Sequence, residues 1–262
     1  MTGTTMILHR RIAEIPAREW DACAGDANPF VSHAFLSALE DSGSTGPATG
    51  WLPQHLALRD GAGQLLAVAP LYAKSHSFGE YVFDQQWAQA FTQAGGQYYP
   101  KLQVAIPFSP VPGPRLLVGD APDADARRLL AGRALRQACG ELDLSSVHIT
   151  FCTEHEQALL GKVAGCPGWA CSTHWDNDGY TGFDDFLEAL ASRKRKAIRR
   201  ERRDANACGL TFHTYRGAEI TRSLWRDFYQ FYLSTVDRKW GSAYLQPGFF
   251  PLLSERLGSG SC

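Results

Sequence analysis

The chain has 262 residues, 44% of them apolar and 11% aromatic, and its 26 Lys and Arg nearly balance 27 Asp and Glu for a net charge of −1. This supports a buried core in one large or two small domains, and it excludes a disordered chain or one that coats nucleic acid through a general basic surface. No stretch approaches the roughly 18 apolar residues of a membrane-spanning helix, and the start MTGTTMILHRRIAEIP lacks the apolar region of a signal peptide, so a cytoplasmic location is expected.

MILHRRI (6–12) has the apolar character of a short strand. A helix opened by Pro16 follows, then a second from Ser32, a plausible N-cap, to Asp41. HLALRD (55–60) and QLLAVAPLYAK (64–74) are strand-like runs joined by the turn residues Gly61-Ala62-Gly63. SFGEYVFDQQWAQAFTQAGG (77–96) gives an extended lead-in and an aromatic helix, and YYPKLQVAIPF (98–108) another strand. A helix over 123–142, a strand at VHITFC (147–152), a helix over 154–163 and a strand at WACSTHW (169–175) complete the order β-α-α-β-β-(α)-β-α-β-α-β. This alternation predicts a mixed α/β sheet flanked by helices. The seven cysteines are odd in number and contain no C-x-x-C pair. Neither a disulfide framework nor a zinc site is signalled, and no metal is expected.

Charge is concentrated in one place. FDDFLEALASRKRKAIRRERRDANACG (183–209) carries eight Lys and Arg between positions 193 and 203. At about 100° per residue, Phe183, Phe186, Leu187, Leu190, Ala197, Ile198 and Ala205 form one stripe, which predicts a single long amphipathic helix. Thr181 with Asp184 resembles a capping box, and Gly209 suits a left-handed stop. Arg195, Lys196, Arg199, Arg202 and Arg203 lie opposite the stripe, with Arg200 beside it. A row of guanidinium groups is well made for phosphates. A solvated helix whose cations complement its own dipole is the simpler alternative, but like charges at i, i+4 repel, and their retention favours an anionic partner. Beyond it, GLTFHTYR (209–216) is expected as a strand, followed by helices over 219–236 and 247–257.

The element order resembles the GNAT acyltransferase fold. The strings KSHSFGEYVFDQQWAQAF (74–91), YYPKL (98–102), PFSPVPGPRL (107–116), HWDNDGY (174–180), FDDFLEALASRKRKAIRRERR (183–203) and DRKWGSAYL (237–245) are similar to those of the FemAB-like N-acyltransferases, labelled peptidoglycan biosynthesis or recognition proteins. The resemblance implies tandem GNAT-like domains: a complete first one at 1–175 with a helical insertion near 77–96, and at 176–262 the start of an incomplete second. The chain is accordingly expected to be a C-terminally truncated member, whose activity is in question. Relatives of the Fem type transfer amino acids from aminoacyl-tRNA to a peptidoglycan precursor. The implied function is therefore transfer of an acyl or aminoacyl group to an amine, with acyl-CoA or aminoacyl-tRNA as donor substrate, no tightly bound cofactor, and a cell-wall precursor or other small molecule as acceptor. Two alternatives stay open: a non-catalytic module that binds RNA or anionic lipid through the basic helix, and an inert fragment.

Acyl-CoA enzymes of that fold cradle pyrophosphate on backbone N–H groups. The corresponding loop, PFSPVPGPRLLVGDAPDA (107–124), contains Pro107, Pro110, Pro112, Pro114 and Pro122, which offer none. RDGAGQ (59–64) has the wrong spacing for a phosphate loop and suits a hairpin turn. No Ser-His-Asp or Cys-His arrangement is evident, so a covalent route is not expected. His174, just before the basic helix, is a candidate proton carrier, against a structural role at a strand end. Glu80 and Asp84 are candidate paired carboxylates if their segment is helical. Tyr98, Tyr99 and Lys101 combine aromatic surface with a cation, suited to a base or sugar ring, against strand packing with a snorkelling Lys. Asp237, Lys239 and Trp240 close a helix where the dipole accounts for the cation, and their place in a family-like string makes them further candidates. Arg195, Lys196, Arg199, Arg200 and Arg203 are the candidate holders of an anionic donor or acceptor.

Overall fold

The computed structural model describes residues 3–162, 177–239 and 241–257. The chain divides into two compact units, Met1–Gly168 with Gly217–Cys262, and Trp169–Arg216.

In the first unit, strand β1 (Thr5–His9) leads to helices α1 (Ala17–Ala24) and α2 (His33–Asp41). Ser32 caps α2 by accepting the N–H of Phe35, as its position predicts. Then come β2 (Trp51–Pro53), β3 (His55–Arg59), β4 (Leu65–Ala69) and β5 (Leu71–Lys74). The turn between β3 and β4 is closed by Asp60, whose Oδ1 accepts the N–H groups of Ala62 and Gln64. Helix α3 (Gln85–Gln93), strand β6 (Lys101–Val104), helix α4 (Ala124–Glu141), strand β7 (Val147–Ile149) and helix α5 (Glu154–Gly161) follow. A capping box between Thr153 and Glu156 opens α5.

The class is mixed α/β, as expected, but the strands form two sheets rather than one: β1-β3-β4, antiparallel, and β2-β5-β6-β7, in which only the β6–β7 pair is parallel. The predicted strand 64–74 breaks at Pro70, which has no N–H to give a ladder. Its two halves therefore join different sheets. The predicted strand 98–108 contributes only Lys101–Val104 to the ladder.

Strand alternation gives the four-stranded sheet two unlike faces. Leu71, Leu102, Val104, Val147 and Ile149 pack in one apolar cluster with Ala131, Ala134, Leu135 and Ala138 of α4. Register places Trp51 opposite Lys74, Lys74 opposite Lys101, Tyr72 opposite Gln103, and Gln103 opposite His148, so the other face carries this set of aromatic and polar side chains.

Helices α8 (Arg222–Arg238) and α9 (Phe249–Leu257) also belong to the first unit. The expected second domain at 176–262 includes them, but their apolar residues complete the core around α2. Phe249 meets Phe35 edge-on at 5.7 Å, Phe250 stacks on Trp225, and Arg256 donates to Ser37 Oγ and Asp41 Oδ2.

The second unit contains α6 (Phe183–Ala189) and α7 (Ser192–Asn206), so the expected long helix is two. Leu190 and Ala191 are extended at the break. Arg195 Nη1 then donates to the carbonyl of Glu188 at 3.1 Å, satisfying a helix-end acceptor that a continuous helix would have tied to a backbone N–H. At the start, Thr181 pairs with Asp185 and not with Asp184. The segment 209–216 is not a strand. It finds no ladder partner among the described residues, and an isolated strand leaves its backbone unpaired. The predicted strand at 169–175 lies outside the described residues.

If α9 completes the core, Phe249→Ala should lower the unfolding free energy by about 3–5 kcal/mol, whereas exposed Phe231→Ala should change it by less than about 0.5 kcal/mol. Urea unfolding followed by circular dichroism reads both.

Candidate functional site

The polar face of the four-stranded sheet buries two lysines. Lys74 on β5 and Lys101 on β6 are cross-strand neighbours, and neither side chain has any exposed surface. An unpaired buried ammonium is costly, so the chain between β5 and α3 must bring compensating groups. It does so at Lys101, whose three N–H bonds go to Asp84 Oδ2 at 2.7 Å, Glu80 Oε2 at 2.9 Å and Ser77 Oγ at 3.0 Å. Tyr98 donates to the same Asp84 oxygen at 2.8 Å, and the Tyr99 and Ser77 hydroxyls lie 2.7 Å apart.

Lys74 is held differently. Its Nζ lies 3.6 Å from the centre of the Trp51 ring, donates to the Phe78 carbonyl at 3.2 Å, and stands 4.0 Å from Glu80 Oε1. The Trp51 indole donates to the same carbonyl at 3.1 Å. Burial is the main cause that brings the Lys74 amine down to about 7, with the Lys101 charge adding to it and Glu80 opposing it. Burial also raises Glu80, against the pull of Lys101. On Asp84 burial acts upward too, but hydrogen bonds from Lys101, Ser77 and Tyr98 together hold the carboxyl below its ordinary value. Tyr98 is raised by burial and by its bond to Asp84, and His148 falls to about 4 through burial and the nearby Lys101 charge.

The structure thus joins Glu80, Asp84, Tyr98, Tyr99 and Lys101 in one cluster. The two carboxylates do not meet by helical spacing, because α3 starts only at Gln85 and Tyr81 has a φ of 56°. They converge on Lys101 instead. Nor does Lys101 snorkel; it is wholly inside. Sequence reasoning missed Lys74, Ser77, Gln103 and His148. The signal was present in the polar residues alternating along β5 and β6, which mark a sheet face covered by something other than apolar side chains.

The remaining candidates lie elsewhere. Asp237 and Lys239 stand exposed at the end of α8, and His174 and Trp240 lie outside the described residues. Lys196, Arg199, Arg200 and Arg203 are exposed on α7, and Arg195 is half-buried against α6. The Arg202 guanidinium lies 4.2 Å from the centre of the Phe183 ring, and Arg199 is 3.9 Å from Asp184.

In the proline-rich loop 107–124 many of the backbone donors already have acceptors. Phe108 donates to Gly79 O, Gly113 to Phe151 O, Leu117 to Val68 O and Gly119 to Cys23 O, and the Glu156 carboxylate takes the N–H groups of Arg115 and Leu116. Among the described residues no group of three or more His, Cys, Asp or Glu is placed to hold a metal ion, and no helix is long and apolar enough to cross a membrane.

The fold is of a mixed α/β kind consistent with an acyltransferase-like architecture, built over a buried lysine and carboxylate cluster. Residues 11–260 match the FemAB-like family, described as peptidoglycan biosynthesis/recognition, and the chain belongs to that family. No curated protein and no solved structure gives a significant match.

Because the folded state holds Lys74 at a lowered value, the unfolded chain binds more protons above about pH 7, and stability should rise with pH there. Thermal unfolding between pH 7 and 9 should show this gain in the wild type and a flatter profile in Lys74→Met. An unchanged slope in the variant would mean that Lys74 stays charged in the fold.

Proposed function

We propose that this protein is a Fem-type N-acyltransferase that moves an acyl or aminoacyl group onto an amine of a peptidoglycan precursor, with α7 holding the phosphates of the donor. The family match supports the substrate class. The observation that carries the donor assignment is the exposed cationic row of α7. Lys196 and Arg200 have no ion-pair partner among the described residues, and the partners of Arg199 and Arg203 are exposed carboxylates at 3.9 and 3.4 Å, which an incoming phosphate can displace at little cost. The five prolines of the loop 107–124 and the several N–H groups there that already have acceptors support holding the donor's phosphates elsewhere than on that loop.

In such a transfer the amine nitrogen attacks the acyl carbon. A C–N bond forms, the ester C–O bond of aminoacyl-tRNA or the thioester C–S bond of acyl-CoA breaks, and the leaving oxygen or sulfur departs with a proton. A route for the amine proton and a held donor are the two requirements.

Equilibrium binding of the chain to aminoacyl-tRNA, acyl-CoA and a lipid-linked cell-wall precursor tests this reading. Binding to one of the two donors should weaken at least about tenfold in the Arg199→Ala, Arg203→Ala double variant. Absence of binding to all three would sink it. Equal, steeply salt-dependent binding to any polyanion would instead make α7 a general electrostatic surface for RNA or anionic lipid.

A further inference from the structure

Helix α3 adds nothing to the apolar cores: none of its residues is buried, and none packs in a core cluster. Yet its segment carries large rings. Phe83 is 87% exposed, Trp87 76% and Phe91 48%. Apolar rings gathered in water are a liability for a soluble surface and ordinarily mark a place of contact.

The segment is built as a closed lobe. At its base Tyr98 donates to Asp84 Oδ2 at 2.8 Å, and the same oxygen accepts from the buried Lys101 at 2.7 Å, so the chain leaves and re-enters the fold at one fixed point. Between those ends, residues 85–97 run along α3 and return through Gly95 and Gly96. Gly95 takes a φ of 86°, and the Phe91 ring occupies the space that a Cβ on Gly96 would need, which ties the return to the helix itself. Phe91 also meets Tyr98 edge-on at 6.1 Å. A braced element therefore presents the rings.

Composition selects the partner. Of the whole chain 20% is charged, but no charged residue lies between Asp84 and Lys101. At about 100° per residue, Trp87, Ala88, Ala90 and Phe91 fall on one arc of α3, and Gln85, Gln86, Gln89, Thr92 and Gln93 fall on the other. The apolar arc offers one polar side-chain atom, the indole Nε1 of Trp87. A protein partner is met with about one hydrogen bond per 100–200 Å², and a phosphate with cations, and this arc supplies neither. A small ligand needs a concave site, whereas these rings are open to solvent. Hydrocarbon asks for no hydrogen bond and no charge. Trp beside Phe suits its boundary with lipid headgroups, where the indole N–H still finds an acceptor. Glutamines on the opposite arc keep to the wet side and add no preference for charged lipid.

We propose that the lobe 85–97, with Phe83 at its foot, anchors this protein to a bilayer surface by placing its rings in the headgroup–acyl boundary. A nine-residue helix is about 14 Å long, so it lies on the bilayer and does not span it. The anchor goes beyond the acyl-transfer reading and does not rest on it. Where that reading holds, docking brings the enzyme to the surface at which a lipid-linked acceptor lies.

The test is flotation of the full chain with phosphatidylcholine vesicles, which have no net charge, at about 0.1 M and about 1 M salt. Binding is expected at both, because apolar contact is not screened. It should fall at least about tenfold in the Phe83→Ser, Trp87→Ser double variant, whose fold is checked by circular dichroism. Ala90→Glu, which keeps every ring and puts one charge on the apolar arc, should weaken it too. Trp87→Phe should still float but lose the blue shift of indole emission that vesicles cause in the wild type. Absence of flotation, or flotation unchanged in both the double variant and Ala90→Glu, would overturn the anchor. Flotation confined to phosphatidylglycerol vesicles and abolished at high salt would assign lipid binding to the cations of α7 and overturn it as well. So would self-association in sedimentation velocity, lost in the double variant and without flotation, which would make the lobe a contact between copies of this chain. The Arg199→Ala, Arg203→Ala variant should float like the wild type, so loss of donor binding leaves the anchor standing, and loss of the anchor leaves the donor reading standing.

Discussion

Putting two lysines opposite each other inside a sheet creates a desolvation problem that the surrounding chain must solve. Lys74 and Lys101 sit across the β5–β6 ladder with no exposed surface. Leaving both unpaired would cost several kcal/mol each. The connection from β5 to α3 supplies the answer. It crosses back over the face, delivers Ser77, Glu80 and Asp84 to Lys101, and ends in the helix that begins one residue after Asp84. Its path needs backbone freedom at Gly79, whose φ is 78° and where an added Cβ would fall 2.6 Å from the Phe108 ring. The two lysines are not treated alike. One is fully bonded, and the other rests on a ring and a carbonyl.

The same device, an interior carboxylate that satisfies backbone or side-chain donors, recurs in this unit. Glu156, almost wholly buried, caps α5 through Thr153 and also takes the N–H groups of Arg115 and Leu116, tying the proline-rich loop to that helix. Arg115, itself buried, spends its guanidinium on the carbonyls of Val111, Gly113 and Thr150. Glu40 accepts the N–H of Ile12 and pairs with His55 at 2.7 Å. Each pairing removes a donor from the open inventory of the chain. Glu80 and Asp84 each keep one oxygen without a partner among the described residues, as do other buried polar atoms of the unit such as Thr45 Oγ1 and His55 Nδ1.

Elements governed by local rules were legible in the sequence. Ser32 at an N-cap, Pro16 before α1, the turn at 61–63 and the helix of 124–141 depend on nearby residues, and each appears within a residue or two of its predicted place. What failed depended on partners far away in sequence. The split of 64–74 at Pro70 depends on which strand each half pairs with, and the exposed segment 209–216 has strand-like residues but no ladder to join. The break at Leu190 escaped a periodicity argument because the apolar stripe runs through it unbroken. For the site, YYPKL marked Lys101, Tyr98 and Tyr99, while Lys74 lies within the string 74–91 and was not singled out. A lysine at a strand end ordinarily snorkels, and only the cross-strand register reveals that this one cannot.

The basic helix has a corresponding division of labour. Arg195–Arg199, Lys196–Arg200 and Arg199–Arg203 are like-charge pairs at i, i+4, each costing a few tenths of a kcal/mol in an exposed helix. Two cations of the run have local structural roles: Arg195 closes the end of α6, and Arg202 lies over Phe183. These contacts account for the break between the helices and for its orientation within the unit. They do not account for Lys196, Arg199, Arg200 and Arg203, whose mutual repulsion is relieved only weakly by the exposed carboxylates of Asp184 and Asp204. A phosphate held between neighbouring turns would relieve it at several positions at once, turning a repulsion that weakens the free helix into an attraction present only in the complex.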